Sequence, residues 1–97
     1  MSYAFHPDAE AEYLEAVAFY ETRRAGLGAT CIAEFEHVMA RVCDAPDRYP
    51  IERPPDVRAI RLHRFPFKVL YRIREGQVQV LAVAHDSRRP TYWLNRL

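Results

Sequence analysis

The second half of the sequence holds residue types that could together cleave RNA without a metal ion. They are Arg61, Lys68, His85, Arg88 and Tyr92. Such a reaction needs a group that takes the 2′-hydroxyl proton, a group that protonates the leaving oxygen, and cations that offset the charge on the phosphate. His85 could act as acid or base, because the unperturbed pKa of histidine is ~6.5. Arg88 could hold a phosphate through two hydrogen bonds, and Tyr92 could donate a proton or stack on a base.

These residues also have purely structural explanations, which stay open at this point. The spacing His-x-x-Arg-x-x-x-Tyr is a weak motif in isolation, and His85 could simply cap a backbone carbonyl where its strand ends. Arg88 and Arg89 could be solvated loop residues or contacts to an acidic partner. Tyr92 and Trp93 are predicted to anchor the C-terminal tail in the core, since tryptophan is mostly buried.

Hydrophobic periodicity predicts a single α+β domain, residues 1–97, that would position these side chains. A short strand at Tyr3–Phe5 precedes a helix from Pro7 to about Arg24, and a second helix runs from about Ala29 to the stop at Pro46. The second helix carries an apolar stripe. That stripe is Ile32, Phe35, Met39 and Val42. The helices are expected to form an antiparallel hairpin that packs on a C-terminal antiparallel sheet.

The sheet is predicted from the second half of the chain. The loop from Pro46 to Asp56 contains four prolines and is expected to be stiff and irregular. The strands that follow are Val57–Leu62, Phe67–Arg74 and Gln77–Ala84. Glu75 and Gly76 form a two-residue turn between the last two strands, which fixes their register. This register predicts that Arg74 lies opposite Gln77 and Lys68 opposite Val83.

Alternation along the predicted strands assigns their side chains to two faces. The face that should pack on the helices contains Val69, Tyr71, Ile73, Val78, Val80, Ala82 and Ala84. Arg61 is expected directly opposite Lys68 on the other face, with His85 one step beyond. Like charges opposite one another destabilise a sheet, so this grouping would offer a site to an anion. Alternatively, the two cations turn into solvent or pair with Glu52 or Asp56.

Composition and charge limit the classes of function. Residues 1–47 contain nine acids and three arginines, a net charge of −6, whereas residues 48–97 contain eleven basic residues and four acids, a net charge of +7. The basic half predicts a surface for an anionic partner. No apolar run approaches the ~20 residues that a membrane helix needs, and no signal peptide is recognisable, so a cytoplasmic protein is expected. No Cys/His spacing or phosphate-binding loop indicates a metal or a cofactor.

The chain as a whole resembles the RelE/ParE superfamily of type II toxin–antitoxin toxins. The resemblance is carried by GLGATCIAEFE, DAPDRYP, RLHRFPFKVLYRI and VLAVAHDSRRPTYW, in that order. It implies one of two activities. RelE-like members cleave mRNA in the ribosome, and their cationic positions would fall on Arg61, Lys68 and Arg88, with Tyr92 as the C-terminal aromatic. ParE-like members inhibit DNA gyrase and lack that set.

The resemblance favours the ParE-like activity, in which the toxin acts by binding. The segment VLAVAH…RRP is closer to that side, Ala59 stands where some RelE-like members place a cation, and Asp86 puts a negative charge beside the cations. A non-toxic relative that survives as a binding module is a third hypothesis. Either toxic activity implies a cognate antitoxin.

Similar toxins are neutralised by an antitoxin segment that folds on binding. The main apolar stripe of the first helix is Tyr13, Ala16, Val17 and Tyr20. Three other apolar residues of this helix, Leu14, Ala18 and Phe19, lie off the stripe and are predicted to receive the antitoxin segment. The alternative is that they belong to the core, above all Phe19.

Overall fold

The computed structural model describes all residues, 1–97, and confirms the α+β fold. Its helices and strands in chain order are β1 (Tyr3–Phe5), α1 (Pro7–Arg23), α2 (Leu27–Asp44), β2 (Ile51–Arg53), β3 (Val57–Arg61), β4 (Phe67–Arg74) and β5 (Gln77–His85). Short 3-10 helices lie at Pro46–Arg48 and Leu94–Arg96. Neither α-helix combines the length and the hydrophobicity that spanning a membrane requires.

The helical hairpin forms because local signals set its ends. His6 caps α1 by accepting a hydrogen bond from the backbone nitrogen of Asp8 at Nδ1, over 3.1 Å. Gly26 has a φ of 89°, a left-handed conformation that glycine tolerates, and it lets the chain reverse into α2. The buried residues of α2 are Gly28, Cys31, Phe35, Val38, Met39 and Val42. Ile32, predicted to lie on this stripe, is instead exposed, because the helix turns Cys31 toward the core.

The sheet is mixed, with strand order β1-β5-β4-β3-β2. Its C-terminal strands β3, β4 and β5 are antiparallel as predicted, and β1, which the sequence did not place in the sheet, adds a parallel strand. β1 pairs with β5 in parallel, with Ala4 opposite Gln79, which brings the N-terminus to one sheet edge. β2 lies within the proline-rich loop that was expected to be irregular, and it pairs antiparallel with β3. The stiff loop therefore supplies a short edge strand, and that strand carries Glu52 toward the sheet's cations.

A β-bulge in β5 changes the register that the turn had predicted. Arg74 does pair with Gln77, and Tyr71 with Val80, but the next pair is Leu70 with Ala82, so Leu81 is the extra residue. Lys68 consequently lies opposite Ala84 rather than Val83. Every residue after the bulge is shifted by one and changes face.

The bulge divides the apolar residues of the sheet between two cores. Val69, Tyr71, Val78 and Val80 pack under the helices as predicted, together with Val83. Ala82 and Ala84 were predicted to join them but lie on the opposite face, in a second cluster. The members of that cluster are Val57, Leu70, Leu81, Ala82, Ala84 and Trp93. Trp93 is buried there, which confirms that the C-terminal tail docks through it.

Candidate functional site

The cations of the sheet and tail surround one pocket, which we call the cationic pocket. Its volume is about 240 Å³. Its polar lining comprises Arg61, Lys68, His85, Asp86, Arg88, Arg89 and Tyr92. Arg61 lies directly opposite Lys68 on neighbouring strands, as predicted. The structure therefore brings the five residues chosen from the sequence to the lining of a single cavity at the end of the sheet.

Two carboxylates already neutralise the strand cations of this pocket. Arg61 Nη2 lies 2.6 Å from Asp86 Oδ2, and Lys68 Nζ lies 2.8 Å from Glu52 Oε2. The alternative pairing of Lys68 with Glu52 is thus the one found, whereas Asp56 pairs with Arg74 at the other end of the sheet. These ion pairs relieve the repulsion between Arg61 and Lys68 and explain how two cations can face each other across a strand pair.

His85 does not stand on the face that the sequence predicted. The bulge places it opposite Phe67, and its ring meets the Phe67 ring edge-on with centroids 5.1 Å apart, on the helical side. Its Nδ1 accepts a hydrogen bond from the backbone nitrogen of Ser87 (3.0 Å) and lies 2.8 Å from the Ser87 hydroxyl. A neutral ring in this arrangement carries its proton on Nε2. His85 therefore sits at the rim of the pocket.

Tyr92 and the tail arginines are held by one carboxylate on α1, that of Glu12. The Tyr92 hydroxyl donates to Glu12 Oε2 over 2.7 Å, and Arg96 donates to both carboxylate oxygens over 2.9 and 3.0 Å. The Arg88 guanidinium lies 3.9 Å from the centre of the Tyr92 ring. Burial and the hydrogen bond to Glu12 raise the pKa of Tyr92 well above its usual value. Burial would raise the pKa of Glu12 as well, but the hydrogen bonds from Arg96 and Tyr92 outweigh it and lower that pKa.

The Glu12–Arg96 pair also provides hydrogen-bond partners for two backbone groups at the bulge. Arg96 donates to the carbonyl of Leu81 over 3.0 Å, and the backbone nitrogen of Val83 donates to Glu12 over 3.0 Å. Buried backbone groups need such partners. Sequence reasoning missed Glu12, which is 84 residues from Arg96. The only local signal was an acid one residue before Tyr13, beside the inward stripe of α1.

The outer surface of α1 is apolar at the positions proposed for the antitoxin. Leu14 is 58% exposed and Phe19 is 53% exposed, so Phe19 is not a core residue, and Ala18 is exposed as well. Beside them runs a second cavity of about 340 Å³, which we call the apolar groove. Its apolar lining is Ala16, Phe19, Tyr20, Phe67 and Val83. His85 and Arg88 line both cavities and separate them.

The fold occurs in a solved structure from a toxin–antitoxin system. The structure of this chain is similar to the one described as "Chromosomal ParDE TA system from P. aeruginosa", with a TM-score of 0.67 at 20% sequence identity. The superposition covers 88% of this chain and 95% of that chain, and at this identity it shows the fold alone. No protein among the curated proteins matches the sequence.

The sequence itself matches the family model for the ParE toxin of the type II toxin–antitoxin system parDE over residues 3–90. The chain therefore belongs to the ParE toxin family. Membership implies a cognate antitoxin as its partner. No three His, Cys, Asp or Glu side chains lie close enough together to hold a metal ion.

Proposed function

We propose that this toxin inhibits growth by binding DNA gyrase, and that it acts from the cytoplasm without a cofactor or a chemical step of its own. The observation that carries the proposal is the state of the cationic pocket. Arg61 and Lys68 are each paired with a carboxylate, and the Tyr92 hydroxyl is bound to Glu12. These side chains already bind partners within the protein. Such an arrangement fits a surface that recognises another protein better than a site whose side chains must transfer protons.

The chemistry of RNA cleavage makes the contrast specific. A general acid needs a pKa near the working pH, whereas that of Tyr92 is raised. A catalysed phosphate would have to displace the Asp86 carboxylate from Arg61 at every turnover, whereas a protein segment that stays bound displaces it once. Gyrase inhibition needs neither step, because a complementary surface is enough.

The proposal predicts how growth arrest responds to the target. Expression of the toxin should arrest growth, and co-expression of DNA gyrase should relieve the arrest because the extra gyrase binds the toxin. Arrest that persists unchanged when active gyrase is overproduced would contradict the gyrase proposal. A matched strain that overproduces an unrelated protein of similar size controls for the load of expression.

The antitoxin is proposed to cover the outer surface of α1. Leu14, Ala18 and Phe19 expose apolar area that a folding segment can bury. Phe19→Ser should weaken neutralisation by the antitoxin without changing the toxin's fold, because Phe19 contributes little to the core. Exchange of an exposed residue in the turn between β4 and β5, Glu75→Gln, is the control. An antitoxin that relieves arrest equally well with Phe19→Ser would contradict this assignment.

A second candidate, metal-independent cleavage of mRNA on the ribosome, is favoured by one observation. Arg61, Lys68, His85, Arg88 and Tyr92 line one cavity. If they are catalytic, Arg61→Ala with Lys68→Ala abolishes RNA cleavage in expressing cells, which sequencing of RNA ends would show. A third candidate is a non-toxic relative that acts as a binding module, and expression without growth arrest would favour it.

A further inference from the structure

We propose that the apolar groove and the cationic pocket form one continuous docking site for a single antitoxin segment, with an apolar anchor in the groove and a carboxylate in the pocket. The inference rests on the proposed function, because it takes the antitoxin as the occupant. It adds the chemistry that this segment must have. It also explains how a ligand bound beside α1 could mask the cations at the end of the sheet.

The shared wall of the two cavities is the first observation. His85 and Arg88 line both, so an occupant that leaves the groove next to Val83 meets Arg88 before it reaches Arg61. The Arg88 side chain is 52% exposed and lies 3.9 Å from Glu12, too far for a tight pair. Its guanidinium is therefore available to a carboxylate of the segment.

The second observation is that the pocket already holds carboxylates. Arg61 donates a hydrogen bond to Asp86 and Lys68 donates one to Glu52, which shows that these cations can bind carboxylate oxygens in this geometry. An acidic side chain of the antitoxin could replace Asp86 on Arg61 without any rearrangement of the strands. Asp86 lies in the turn after β5, and 42% of its side chain is exposed, so it can swing out into solvent.

The distribution of charge and apolar surface fits such a segment better than other occupants. The groove is walled by Phe19 and Tyr20, which suit a bulky apolar side chain. At the pocket, four cations (Arg61, Lys68, Arg88, Arg89) face the two acids Asp86 and Glu52. The expected motif is one or two large apolar residues followed by a carboxylate, within reach of the His85–Arg88 ridge.

The decisive experiment uses two synthetic peptides with the full-length toxin. The acidic probe carries a Leu-Leu pair, a flexible spacer and two aspartates, and the amide probe has asparagines in place of the aspartates. Fluorescence anisotropy should show that the acidic probe binds about tenfold more tightly, which corresponds to about 1.4 kcal/mol. Backbone amide shifts in NMR spectra should move around both Phe19 and Arg61.

Asp86→Asn is the variant that separates this proposal from general charge attraction. Removal of the resident carboxylate frees Arg61, so the acidic probe should bind about threefold more tightly, while the amide probe is unaffected, as expected for an exposed competing pair. Asp56→Asn is the matched control, because the Arg74–Asp56 pair has the same 2.6 Å separation and Asp56 is 42% exposed. It changes the net charge equally but lies away from the pocket, so it should leave both affinities unchanged.

Several results would overturn the proposal. They include equal affinity for the two probes, no detectable binding of either, an equal gain from Asp56→Asn and Asp86→Asn, and shifts confined to one cavity. Concentration-dependent shifts at the groove without a probe would make a second copy of the toxin the occupant. Displacement of the acidic probe by a single-stranded oligonucleotide that binds more tightly would assign the pocket to nucleic acid. Because these measurements need no growth assay, they can fail while growth arrest and its relief by the antitoxin still hold.

Discussion

Replacement of Glu12 by glutamine should cost more stability than the corresponding amide substitution at any other carboxylate of the molecule. The Glu12 carboxylate accepts four hydrogen bonds: two from Arg96, one from Tyr92 and one from the backbone nitrogen of Val83. The amide of glutamine retains one acceptor oxygen and turns N–H donors toward the others. The Arg96 side chain is only 9% exposed, so its charge would stay largely buried with one of the two oxygens that now accept its hydrogen bonds.

The magnitude follows from the bonds that are lost. Each of the four bonds has the charged carboxylate as its acceptor, and such a bond contributes about 1.5–3 kcal/mol, so the loss of the two bonds on one oxygen costs at least about 3 kcal/mol. This lies at the low end of the 3–5 kcal/mol range, roughly, for breaking a buried pair. In a chain of this size, about 3 kcal/mol lowers the melting temperature by about 12–24 °C.

Urea unfolding followed by far-UV circular dichroism measures this loss, and pH adds an independent check. The folded-state pKa of Glu12 is lowered, so its stabilisation is present above the unfolded value of 4.5 and disappears as the pH falls through the folded value. The gap in unfolding free energy between wild type and Glu12→Gln should therefore shrink below pH 4.5. Glu15→Gln, an exposed neighbour on α1, should change stability by less than about 0.5 kcal/mol. A loss below about 1 kcal/mol in Glu12→Gln, or one equal to that of Glu15→Gln, would refute the reasoning.

Three further predictions concern stability and reactivity. Trp93→Ala should cost about 3–5 kcal/mol in denaturant unfolding, because it empties the second core; an unchanged midpoint would show that the tail is not docked. Gly28→Ala should destabilise the fold by about 1–3 kcal/mol, although alanine has the better helix propensity, because the added Cβ would lie 2.9 Å from Glu21 Oε1 and 3.0 Å from the Val17 carbonyl oxygen. Greater stability of this variant in thermal melts would contradict the close contact between the helices. Burial raises the pKa of both the Cys31 and the Cys43 thiol, so iodoacetamide at pH 8 should label the folded toxin far more slowly than the unfolded one; equal rates would argue against their burial.

Local patterns were enough to predict the helices, the three main strands and the pairing of Arg61 with Lys68. The bulge at Leu81 could not be predicted from the sequence, because the segment VLAVA is apolar throughout and its residues fit either face of a sheet. This one extra residue moved Ala82 and Ala84 to the tail side and His85 to the helical side. A short strand among prolines was equally hidden, since β2 exists only through its pairing with β3.

The residues of the site were also predictable only where local sequence patterns place them. Residues that line the cationic pocket were recognisable because strand ends and the tail converge there. Their partners were not all recognisable, because Glu12 reaches Tyr92 and Arg96 across most of the chain. The importance of Glu12 follows from where α1 packs, and no pattern within α1 predicts that position.

The central claim, that the toxin acts by binding gyrase, is tested most directly in a translating extract that contains DNA gyrase and a relaxed plasmid. Purified toxin is titrated in, and plasmid topology and mRNA integrity are read from the same samples. The account predicts that supercoiling stops at toxin concentrations comparable to those of gyrase while the mRNA stays intact. Cleaved mRNA with undiminished supercoiling would contradict it.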